Sequence, residues 1–125
     1  SISSASRYGN WAMEFLINEI LKLGGTRRNL EFKVFGGGNV LANMTDIGSR
    51  NISFVKDYIH QENFEIVAED VGDNFARKVL YFPDTGAVKL RKLRETTNNT
   101  LIQRELTYSK SLDGNSKSNG EVELF

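Results

Sequence analysis

The sequence predicts an α/β fold: a layered mixed β-sheet flanked by two main helices, with a C-terminal hairpin, a short helix and a tail. Two stretches repeat apolar residues at helical spacing, and two short runs alternate apolar and polar residues. A Pro83-Asp84-Thr85-Gly86 turn then separates two further alternating runs. Helix, strand, helix, strand and hairpin in that order build a layered sheet, mixed because a hairpin is antiparallel.

Ser6 is placed to cap a first helix running to near Leu23, with Asn10, Glu14, Asn18 and Lys22 on the polar side and Trp11, Ala12, Phe15, Leu16, Ile20 and Leu23 on the other. Gly24-Gly25 supplies a left-handed stop, and Thr26 to Asn29 form a polar turn into the strand Leu30-Glu31-Phe32-Lys33-Val34-Phe35. Leu30, Phe32 and Val34 share one face, and Phe35 implies that the opposite face is covered as well. Gly36, Gly37 and Gly38 end that strand abruptly. Asp46 is placed to cap a second helix whose stripe is Ile47, Asn51, Phe54, Val55, Tyr58 and Ile59, ending near Glu62.

A strand over Phe64-Glu65-Ile66-Val67-Ala68-Glu69 follows, then a loop, then the hairpin of Arg77 to Phe82 and Ala87 to Leu93. Residues 1–93 read as a core and residues 94–125 as an extension. Within the extension Thr100 and Gln103 suggest a capping box that opens a short helix bearing Leu101, Tyr108 and Leu112. Residues 113–120 have a linker's composition, and residues 121–125 read as an apolar-acidic tag.

Composition narrows the function. The 125 residues carry 16 Lys+Arg and 16 Asp+Glu, so no net field draws in nucleic acid. Lys89, Arg91, Lys92 and Arg94 cluster, but their alternation with Val88, Leu90 and Leu93 reads as the solvent face of a strand. No run approaches the roughly 18 apolar residues of a membrane span, so a cytoplasmic setting without membrane insertion is expected. The absence of cysteine excludes disulfides, thiolate metal sites and a cysteine nucleophile within these residues. The chain opens on Ser1-Ile2-Ser3 without an initiator methionine and reads as the continuation of an earlier segment.

The residues form no complete catalytic constellation. The glycine loop after a strand invites a phosphate-binding reading, yet it lacks the final glycine of the dinucleotide fingerprint and the Gly-Lys-Ser/Thr of a P-loop. Close approach of another chain segment or a substrate backbone suits it better. His60 is the single histidine, with no second histidine or cysteine to complete a metal or nucleophile arrangement, and reads as exposed. Glu69 and Asp70 are adjacent on a strand and face opposite ways, so they do not share a proton; Arg77 is the expected partner nearby, and Arg50 a further loop-fixing cation. No cofactor and no metal are expected.

Read in order, Arg7-Tyr8-Gly9-Asn10-Trp11-Ala12-Met13, Lys33-Val34-Phe35-Gly36-Gly37-Gly38 and Ile47-Gly48-Ser49-Arg50-Asn51 resemble the chemoreceptor glutamine deamidase family CheD. Ala68-Glu69-Asp70-Val71-Gly72 and the run from Arg77 to Gly86 extend the resemblance, and Val122-Glu123-Leu124-Phe125 resembles the end of longer members. The resemblance implies hydrolysis of glutamine side-chain amides on methyl-accepting chemotaxis receptors, giving glutamate and ammonia, and a possible partner in the CheC phosphatase. It implies a cysteine thiolate nucleophile and a histidine base in an N-terminal segment upstream of the first helix. Neither role falls on a residue of this chain, which alone is expected to be inactive. Gly36, Gly37, Gly38 and Asn39 are the expected wall of the substrate cleft. The family's Asp-x-Gly-Gly is here Asp70-Val71-Gly72-Asp73, where Asp73 replaces a glycine suited to positive φ. The alternative is a non-catalytic CheD-like module that binds the CheC phosphatase or chemoreceptors. On the first reading, loss of the upstream segment would leave a sheet edge and part of an apolar face exposed.

Overall fold

The structure, a computed structural model, describes residues 4–40, 46–93 and 121–125. Its elements are α1 (Ser4–Lys22), a 3-10 turn (Arg27–Asn29), β1 (Phe32–Gly36), α2 (Ile47–Gln61), β2 (Ile66–Val71), β3 (Ala76–Phe82), β4 (Ala87–Leu93) and β5 (Val122–Leu124). The α/β class holds. The strands sort into a parallel pair, β1-β2, and an antiparallel three, β3-β4-β5. The short helix and linker expected between residues 94 and 120 lie outside the described residues.

Both helices end in the same way. Gly24 takes φ 107°, the Gly25 N–H donates to the Ile20 carbonyl and the Gly24 N–H to that of Leu21, so the orphan carbonyls of α1 are satisfied by a Schellman closure. At the end of α2, Asn63 (φ 66°) plays the glycine's part while Phe64 and Asn63 donate to Ile59 and His60. Phe64 is thereby turned onto Phe32 of β1, ring centroids 4.7 Å apart, and the Arg27 guanidinium lies over the Phe64 ring, 4.6 Å from its centroid.

The start of α2 departs from expectation. Asp46 sits at the N-cap position but has αR backbone angles and makes no side-chain cap bond; its carbonyl accepts from the Arg50 N–H and the Ser49 hydroxyl. Ile47 and Asn51 are exposed, whereas Ile59 is buried and Phe54, Val55 and Tyr58 are half-buried as the stripe required.

Helix α1 turns a different face inward from the one its composition suggests. A Cβ on Gly9 would stand 2.7 Å from the Phe54 ring, so the missing side chain is what lets the helices approach, and Ile17 is the buried residue of α1. Trp11, Phe15 and Leu16 are 58%, 53% and 55% exposed. Their apolar arc is wider than the contact with α2 can cover. Tyr8, Trp11 and Phe15 stack in sequence along the outside, with centroids 6.2 and 5.2 Å apart.

The expected hairpin forms, its register running from Ala76↔Leu93 to Phe82↔Ala87, with Gly86 (φ 80°) closing the turn by donating its N–H to the Phe82 carbonyl. The tag is a strand: β5 pairs antiparallel with β4, Lys89↔Leu124 to Arg91↔Val122. Phe75, Val88, Leu90 and Leu93 are buried with Ile17 and Ile59 as the core of the described residues. Phe35 meets Phe125 edge-on at 5.1 Å, which accounts for the two-sided cover of β1. Among the described residues the outer edge of β3 is unpaired, and its Val79, Leu80, Tyr81 and Phe82 are exposed. No helix of the described residues is long and apolar enough to cross a membrane.

Candidate functional site

Strands β1 and β2 with α2 between them form a parallel βαβ unit, and in such units ligands bind beyond the carboxyl ends of the strands. Two loops leave there side by side, residues 36–39 and residues 72–75. The Gly72 N–H donates to the Gly36 carbonyl (2.9 Å) and the Asn39 N–H to that of Asp73 (2.8 Å), stitching them together. Gly36, Gly37, Gly72 and Asp73 all have positive φ, at 120°, 73°, 82° and 63°. Asp73 thus adopts the conformation that a glycine takes without strain.

The glycines do different work. A Cβ on Gly37 would lie 2.6 Å from Ile52, one on Gly48 would collide with the Gly37 carbonyl, and one on Gly38 would stand 2.5 Å from the Phe75 carbonyl. Gly37 and Gly38 are therefore taken up by packing against the first turn of α2 and the neighbouring loop. Gly36 has open space where its Cβ would be, and Asn39, Asp73 and Asn74 are exposed. Of the four predicted residues, Gly36 and Asn39 are left at the rim.

Arg77 supports this rim from beneath. Its side chain is only 3% exposed; Nε donates to the Asp70 carboxylate at 2.9 Å, one terminal nitrogen donates to the Gly36 carbonyl at 3.3 Å, and the guanidinium lies over the Phe75 ring at 4.6 Å. Lys92 approaches the other Asp70 oxygen at 3.9 Å and Glu123 at 3.5 Å. Glu69 turns the opposite way and pairs with Lys56 at 2.9 Å, as alternation along β2 demands. Arg50 makes no ion pair among the described residues.

A second concavity lies at the far end of α2, an open polar cavity of about 260 Å³ lined by Glu14, Ile17, Asn18, Arg27, Tyr58 and Glu62. Burial, then the charges of Glu62 and Glu14, push the Tyr58 hydroxyl pKa up, with Arg27 opposing. His60 is exposed on the last turn of α2. Among the described residues no group of His, Cys, Asp and Glu is placed to hold a metal ion.

The loop and the Asp70–Arg77 pair are legible in the sequence; Gly48 and Ile52, the surfaces against which the loop is seated, are not directly so. A signal was present: glycine in the first turn of a helix costs roughly 1 kcal/mol relative to alanine and is kept where something must come close.

An α/β protein with a glycine loop locked at the carboxyl ends of a parallel pair is the class that fold and site define. The family model described as CheD chemotactic sensory transduction matches residues 1–92, and the chain belongs to the CheD family. It is 52% identical over 126 residues to a probable chemoreceptor glutamine deamidase CheD of Methylobacillus flagellatus, and 53% identical to one of Janthinobacterium sp.; each match covers 99% of this chain and 62% of the relative. A relative of the same description in Halorhodospira halophila is 48% identical over 57% of its own length. The chain thus spans about three-fifths of the length of the curated relatives it matches.

Proposed function

We propose that the complete protein hydrolyses glutamine side-chain amides of chemoreceptors to glutamate and ammonia, and that this chain supplies one wall of the cleft. The observation that carries the reading is the identity of about half the residues, over 99% of the chain, with relatives named chemoreceptor glutamine deamidases. The thiolate that attacks the carboxamide and the histidine that serves it as base and then acid come from outside these residues, which contain no cysteine. A thioester forms as ammonia leaves, and water resolves it to glutamate. The proposed setting is the cytoplasm, where a thiolate stays reduced.

In this scheme residues 36–39 form the cleft wall, with Gly36 leaving room for a substrate backbone and Asn39 offering an exposed amide to hydrogen-bond it. The CheC phosphatase is proposed as a partner of the complete protein. The direct test incubates the full-length gene product with a receptor fragment and reads glutamine-to-glutamate conversion by peptide mass spectrometry, alongside residues 1–125 alone. Conversion by the former and none by the latter is the expected result. Within the full-length protein, Asn39→Ala is expected to lower kcat/KM by roughly tenfold, the worth of about one hydrogen bond, with an unchanged melting temperature. Full activity in that variant would remove Asn39 from the cleft.

A further inference from the structure

Residues 94–121 lie between β4 and β5 in the sequence, far more than the two to five residues of an ordinary hairpin loop. The register is nevertheless defined, Lys89↔Leu124, Leu90↔Glu123 and Arg91↔Val122, and it continues into reciprocal bonds between Val88 and Phe125 (2.8 and 3.0 Å). Side chains beside β4 are placed to read the tail in that register.

Alternation along the strand sends Glu123 and Phe125 to the face of Leu90 and Val88, while Val122 and Leu124 are 51% and 70% exposed. Each of the former two side chains meets a partner: Glu123, its side chain 46% exposed, lies 3.5 Å from Lys92, and half-buried Phe125 packs against Phe35 of β1. Lys33, also of β1, donates to the Phe125 carbonyl (3.1 Å) and to that of Gly86 (2.6 Å). The contact joins the antiparallel strands to the parallel pair. A backbone ladder supplies adhesion, and two spaced side chains supply the choice of sequence, which is how strand-addition sites recognise extended peptides.

We propose that the free side of β4, walled by Lys33, Phe35 and Lys92, is a strand-addition site for an extended peptide with an acidic residue two positions before a phenylalanine. Residues 121–125 occupy it in cis, and the same sequence in trans can replace them. Tethering gives the tail an effective concentration in the millimolar range, so the cis occupant wins until it is weakened.

Hydrogen exchange of the Val88 amide, which donates to Phe125, reads the occupancy in the full-length protein. Phe125→Ala with Glu123→Lys is expected to speed Val88 exchange by roughly 30-fold or more, from the lost ring contact and the reversed charge, and to leave β3 amides protected. A milder variant, Phe125→Leu, is expected to give a smaller rise of the same pattern. Millimolar acetyl-Glu-Val-Glu-Leu-Phe-amide is expected to restore protection in the doubly substituted chain, and acetyl-Glu-Val-Lys-Leu-Ala-amide is not. The proposal is overturned by unchanged Val88 exchange, by loss of β3 protection together with Val88 in both variants, or by equal restoration with the two peptides.

Discussion

Around Gly37 and Gly48 two backbones touch with no side chain between them, whereas along the outside of α1 three aromatic rings stack on one another in solvent. Both regions are rich in residues that the resemblance to CheD proteins picks out, yet they are built to different tolerances. At the glycine junction a Cβ on Gly48 meets the Gly37 backbone, which cannot rotate away, and one on Gly37 meets the packed Ile52 side chain. On α1 an added or deleted atom meets water in this chain. The first region fixes the shape of the candidate cleft, and the second is surface that the described residues leave uncovered.

The largest expected effect falls at the junction. Gly48→Ala should destabilise the chain by about 3 kcal/mol despite alanine's better helix propensity, because the Cβ displaces the Gly37 carbonyl; thermal or urea unfolding measures it. A loss of less than 1 kcal/mol would show that the junction yields, and the contrast with α1 would collapse. Arg77→Met comes next, at about 2 kcal/mol: it strips Asp70 of its main partner and removes one of the two donors to the Gly36 carbonyl, while Lys92 offsets part of the loss. Asp73→Gly should instead stabilise by about 0.5–1 kcal/mol, since Asp73 pays for φ 63° that glycine adopts freely.

On α1, Trp11→Gln with Phe15→Glu should shift unfolding by no more than about 0.5 kcal/mol and lower self-association seen by light scattering. The smallest effect is at the far end of α2. Because folding raises the Tyr58 pKa, its contribution to stability is complete below pH 10 and is lost as pH rises through the folded value. Tyr58→Phe should flatten that alkaline decline in a pH series of melting curves.

Legibility in the sequence follows the range of the interaction. The hairpin was readable because Pro83 and Gly86 set its turn locally, and the second half of α2 because Phe54, Val55, Tyr58 and Ile59 keep one spacing. Phe35 announced a covered second face of β1 without revealing that Phe125 covers it. The inward face of α1 was hidden because its apolar arc is broad, so that the deciding residue is Gly9, which has no side chain to count. For β5 the pattern was too short, three residues whose pairing depends on a strand far back in the chain. Asp46 illustrates the converse failure, a good capping residue at the cap position whose backbone is already helical. Of the candidate site, the loop itself was legible and its seating on Gly48 and Ile52 was not, because that contact is made by the absence of atoms.

Among the described residues, the β3-β4 hairpin is the strand pairing whose partners lie closest in the sequence, with only residues 83–86 between them. Closing it fixes few residues, while the parallel pair must first enclose α2 and the β4-β5 ladder must enclose residues 94–121. Loop-closure entropy therefore orders assembly in time: the hairpin can form within microseconds of its turn, and β5 docks on a β4 that already exists. During synthesis the same order is enforced from the ribosome, since residues 122–125 emerge after every strand they join. A nascent chain thus passes through an interval in which Phe35 and the free side of β4 are formed but still open.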